Sequence, residues 1–110
     1  MKTKTEEIKM IEVFHNSDYM EFGRKLSNED KELDVPKELL EKVADVKTTG
    51  LDAAYCLTNN IEYPWPENVE VTAIKDKPRS TSVGDVMIMD GISFMVADNG
   101  FKKVNLVDKT

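Results

Sequence analysis

Residues 79–104 read RSTSVGDVMIMDGISFMVADNGFKKV, and this stretch decides the fold. It opens with a hydroxyl-rich turn, Arg79-Ser80-Thr81-Ser82-Val83-Gly84-Asp85, and continues as short apolar runs broken by glycine-containing turns. Asp90-Gly91 is a strong hairpin signal, because a two-residue turn that matches strand twist needs positive φ, which Asp tolerates and Gly adopts freely. Asp98-Asn99-Gly100 carries the same chemistry. Residues 83–89, 92–97 and 101–106 are therefore expected to form an antiparallel β-meander, with 107–110 frayed.

Working toward the N-terminus, 69–74 alternates in the manner of a strand. Tyr63-Pro64-Trp65-Pro66-Glu67-Asn68 excludes regular structure, since each proline removes a donor and drives its predecessor to an extended state. Leu51, Ala54, Tyr55, Thr58 and Ile61 fall on one helical face, so a helix is expected over 50–60, capped by Thr49 and stopped by Asn59-Asn60. A first strand is expected over 8–14, ended by His15-Asn16-Ser17-Asp18. Residues 16–34 have little apolar periodicity and are expected to be a long loop, with one helical turn around 19–26 as the most it would carry. Two arrangements compete for 36–48. One is a helix from Asp34-Val35-Pro36 through Val46; the other is a turn over 36–41 followed by a strand over 42–48. The three-residue spacing of Val43 and Val46 suits a helix better.

The chain has 110 residues, 40% hydrophobic and 33% charged, as expected of one globular domain with frayed ends at 1–7 and 107–110. No apolar run approaches the ~18 residues a membrane span needs, and no apolar segment follows Lys2 and Lys4 as a secretory signal would require. One cysteine, Cys56, forms no internal disulfide, which favours a reducing cytoplasm. The net charge of −6 argues against binding a phosphate backbone and suits a basic partner.

The segments VFHNSD, KVADV followed by GLDAAYCLTNNI, PWPENVEV, RSTSVGD and FMVADNGF resemble, in order and spacing over about 8–104, a family of small proteins of phages, plasmids and other mobile elements. The resemblance implies a small α+β domain and a strand at 42–48 leading into the helix. It brings no established activity, and residues 20–34 have no counterpart in its pattern.

The residues that could carry chemistry are few. One His and one Cys, over forty residues apart, do not make a metal site, so no metal is expected. A Cys56–His15–Asp18 relay is conceivable, but Cys56 falls mid-helix beside Tyr55 and Leu57, where a free Cys acts as a small apolar residue. Arg79-Ser80-Thr81-Ser82 could hold an anion, or Arg79 could pair with a carboxylate while the hydroxyls close a loop. Trp65, framed by prolines, is either an interface knob or a lid on helix 50–60. The candidate binding residues are Trp65, Asn68, Arg79, Ser80, Thr81, Ser82 and Asp85; no catalytic residue and no cofactor are expected. The expectation is an α+β domain of about five mostly antiparallel strands with one principal helix. It would act without catalysis by binding a host or defence protein through residues 29–41 and the Trp65 loop, with homodimerisation open. The alternative is a binder of a phosphorylated metabolite or nucleotide at Arg79–Ser82.

Overall fold

The computed structural model describes residues 8–26, 33–59, 64–75, 78–98 and 100–108. Its elements are β1 (Lys9–Asn16), α1 (Tyr19–Leu26), β2 (Asp34–Pro36), β3 (Leu40–Thr48), α2 (Leu51–Leu57), β4 (Val71–Ala73), β5 (Val86–Met89), β6 (Ile92–Ala97), β7 (Gly100–Lys103) and β8 (Asn105–Val107). Single 3₁₀ turns, Lys37–Leu39 and Trp65–Glu67, precede β3 and β4. Six strands form one antiparallel sheet in the order β4-β3-β1-β5-β6-β7, and β2 and β8 pair in parallel as a separate ribbon. The α+β class and the mostly antiparallel sheet expected from the sequence are what the chain adopts.

The β5–β6 hairpin closes as its turn chemistry dictates. Met89 pairs with Ile92, and Asp90 and Gly91 between them have φ of 55° and 77°. Side chains alternate across a strand, so the consecutive residues Val86 and Met87 point to opposite faces, yet both are fully buried. Each face therefore has its own core. One core holds Ile11, Val13, Val43, Val46, Met87 and Trp65, covered by α2. The other holds Phe22, Leu33, Val35, Val86, Met95 and Val104, covered by α1 and the β2–β8 ribbon. The second cover was not foreseen, because three-residue strands carry no measurable period.

Several local expectations are corrected. The helical turn expected around 19–26 is longer than one turn, an eight-residue helix within what was otherwise expected to be a loop; residues 27–32 of that loop lie outside the described residues. Asp34-Val35-Pro36 is a strand, not a helix start. The helix ends at Leu57, and its N-cap is Gly50 with no side-chain cap bond, so Thr49 does not serve; Asn60 and Ile61 lie outside the described residues. Cys56 is exposed rather than acting as a core residue. Val107 belongs to β8, while 1–7 and 109–110 lie outside the described residues.

The competition over 36–48 resolves as a 3₁₀ turn and a strand, and the misleading valine spacing has a physical cause. Along β1–β3, Val13 pairs with Ala44 but Phe14 pairs with Lys42, so Val43 is an extra residue in the ladder. This β-bulge shifts the alternation by one. Val43, Ala44 and Val46 all reach the same core, and a three-residue spacing appears within a strand.

A sheet buried on both faces makes a direct prediction. Val86→Ala and Met87→Ala, adjacent and opposite in direction, should each lower unfolding free energy in urea titrations, by about 1–3 and 2–5 kcal/mol respectively. If either left stability unchanged, one of the two covers would not be in place.

Candidate functional site

The two most distinctive motifs, at 13–18 and 79–85, lie far apart in sequence and meet at one end of β1. The carboxylate of Asp85 is the centre of that meeting. It is fully buried, and a buried charge is tolerated only when paired and hydrogen-bonded. Arg79 supplies the pairing as a two-pronged fork, Nη1 to Oδ2 at 2.7 Å and Nη2 to Oδ1 at 2.8 Å. The backbone N–H of Asn16 donates to Oδ1 and that of Ser82 to Oδ2, each at 2.8 Å. Nη1 also donates to Ser80 O (3.0 Å) and Nη2 to Asn16 O (3.4 Å). The guanidinium lies 4.0 Å from the centroid of the Tyr19 ring at the start of α1. Hydrogen bonding to Asp85 raises the Arg79 pKa above its ordinary value, against the smaller opposing effect of burial.

The surrounding loop is organised to present Asp85. Gly84 has φ of 99°, and a Cβ there would lie 2.1 Å from Tyr19 O, so only glycine lets α1 approach the loop. Asn16 fixes the same crossing from the other side: its side-chain amide donates to Gly84 O (3.0 Å) and its carbonyl accepts from Asp18 N–H (2.8 Å), shaping the entry to α1. Thr81 is buried; its N–H donates to Thr58 O at the end of α2 (2.9 Å). Thr81 Oγ1 and His15 Nε2 share a hydrogen bond at 3.1 Å. Trp65 is fully buried, its indole N–H donating to Arg79 O (2.8 Å) and its ring meeting His15 edge-on at 6.3 Å. Asn68 donates from its side chain to Leu57 O (2.7 Å) and closes the loop after α2.

All seven candidate binding residues are thus placed. Arg79, Ser80, Thr81, Ser82 and Asp85 come together, with Trp65 directly beneath and Asn68 further along the α2 loop. Trp65 is the lid of the first core, with no ring surface left to act as a knob. Two residues that the candidate set omitted, Asn16 and Tyr19, complete the cluster. The signal for Asn16 was its place in VFHNSD; Tyr19 had none.

Outside this cluster lies a cleft of about 390 Å³, bordered by His15, Asn16, Tyr19, Glu41, Lys75 and Arg79. Its volume is within the range of small-molecule sites. Its charges are internally balanced: Arg79 by Asp85, and Lys75 by Glu41 at 3.0 Å. Burial, the dominant cause, lowers the His15 pKa to about 4, partly opposed by the charge of Asp85, so the imidazole is neutral at pH 7. Among the described residues no three His, Cys, Asp or Glu converge on a point where a metal ion could sit.

Two predictions follow from the cluster. Asp85→Asn leaves Arg79, whose side chain is 35% exposed, without its counter-charge and replaces charge-assisted bonds by neutral ones, and should cost about 1.5–3 kcal/mol in urea unfolding. His15 sets a pH dependence. Its folded pKa lies below the unfolded value of 6.5, so the unfolded state takes up the proton first. Its contribution is complete above about pH 6.5 and is lost as pH falls through about 4, amounting to about 2 kcal/mol once the imidazole edge facing the cleft is discounted for solvent. His15→Gln should flatten the stability–pH curve in that window; an unchanged slope would remove His15 as its source.

No protein-family model, no curated protein and no solved structure matches this chain.

Proposed function

We propose that this chain is a non-enzymatic accessory protein of a mobile element, that it binds a protein of the cell carrying that element, and that the partner presents a basic surface. The observation carrying this is the distribution of charge. Lys9, Arg24, Lys37, Lys42, Lys75 and Arg79 are all engaged by carboxylates of the chain itself. Asp18, Asp52, Glu70 and Asp98 are exposed without such a pair among the described residues, in a molecule of net charge −6. With these six cations answered from within and four exposed acids unpaired among the described residues, the acids outweigh the exposed Lys47 and Lys103, and a net negative surface attracts a basic partner and speeds encounter with it.

Within the acidic segment 29–41, Glu38 and Glu41 are exposed and Glu41 borders the cleft, while 29–32 lie outside the described residues. No helix among the described residues is long and apolar enough to cross a membrane, which is compatible with a partner in the host cytoplasm. A second proposal, a phosphorylated metabolite held at Arg79–Ser82, draws support from the cleft beside Arg79. Against it, a phosphate there would compete with Asp85 for both terminal nitrogens of the guanidinium.

Native mass spectrometry of the protein isolated from its host, followed by titration of the co-purifying protein, separates the two. A basic protein should be retained, and Glu38→Lys/Glu41→Lys should weaken its binding by about tenfold, with wild-type affinity falling as salt rises. Retention of a phosphorylated small molecule, with thermal stabilisation by that molecule, would overturn the protein-partner proposal in favour of the second.

A further inference from the structure

A second concavity of about 200 Å³ borders the first core, between α2 and the β6–β7 hairpin. Its make-up differs from that of the cleft. Tyr55 and Phe101, partly buried against the first core, border the groove together with Val83 and Ala97. Asp52, in the first turn of α2, and Asp98, in the β6–β7 turn, stand at its rim, both exposed. Neither carboxylate forms an ion pair or a side-chain hydrogen bond with any described residue. No cation among the described residues lines this groove. In the cleft, by contrast, both lining cations are matched by carboxylates of the chain.

We propose that this groove is the seat for a lysine or arginine side chain of a basic protein segment, which deepens the proposed function and rests on it. The fit is one of complementarity on three counts. The aliphatic stem of a long cationic side chain covers apolar surface while its head stays polar; Val83 and Ala97 offer that surface. Aromatic rings attract a cation placed over them; Tyr55 and Phe101 both line the groove. The free carboxylates of Asp52 and Asp98 supply the counter-charge and accept the hydrogen bonds of the head group. A phosphate, a carboxylate or a nucleic-acid backbone meets like charge here. A wholly apolar ligand leaves both acids without a role.

The test uses the full chain and a fluorescein-labelled nonalysine peptide, read by fluorescence anisotropy at low and physiological salt. Asp52→Asn/Asp98→Asn removes two charges from the groove without changing its shape. Asp18→Asn/Glu70→Gln removes two exposed charges elsewhere and is the charge-matched control. Thermal melts verify that both variants fold.

The groove variant should lose about fivefold or more in affinity, and the control less than about twofold. Tyr55→Leu, which keeps bulk but removes the π face, should lose about threefold without any change in net charge. Equal losses in the two charge variants would overturn the groove as a seat while leaving a basic partner standing, since binding would then follow overall charge. No measurable binding by the wild-type chain would overturn both.

Discussion

The buried carboxylate of Asp85 is the constraint on which the rest of this molecule depends. A charge with no solvent around it must be answered from within, and here the answer comes from three separate places: the guanidinium of Arg79, the backbone of β1 at Asn16, and the backbone of its own loop at Ser82. Satisfying it ties the end of one central strand to the start of its neighbour, since Asp85 directly precedes β5. It also positions α1, through Tyr19 over Arg79 and Tyr19 O against Gly84. The hydroxyl-rich turn that looks in sequence like an anion receptor has its anion built in.

What was legible in the sequence follows the range of the interactions responsible. The β5–β6 hairpin, its Asp90-Gly91 turn and the body of the helix expected over 50–60 rest on neighbours within a few residues, and each could be read; the strand expected over 101–106 instead breaks at Val104, its second half pairing with β2. The convergence of VFHNSD with RSTSVGD could not, because His15 meets Thr81 and Asn16 meets Asp85 across more than sixty residues. Val43 and Val46 misled for a different reason. Their spacing is helical on paper, and only the ladder with β1 reveals that one residue is bulged out. The β2–β8 ribbon left no trace, since three residues on each side are too few to show a period.

The same economy shapes the outer surface. Most placed cations answer a carboxylate of the same chain, so the sign of the exposed field is set by the acids that have no such partner. A basic surface approaching it meets attraction and an acidic one repulsion. The two concavities divide accordingly: the balanced one beside Arg79 is continuous with the interior bonding, and the unbalanced one beside α2 is not.

The crossing of two distant segments also bears on the order in which the chain acquires structure. The β5–β6 hairpin and α2 depend on contacts close in sequence and can form within microseconds. The Asp85 crossing must first close a loop of roughly 70 residues, an entropic cost that rises with the logarithm of loop length. During synthesis, β1 can pair with β3 as soon as β3 emerges, but its other edge stays open until β5 has left the ribosome. For most of translation the molecule is therefore half a sheet with an unpaired strand edge, and the last quarter of the chain is what closes it.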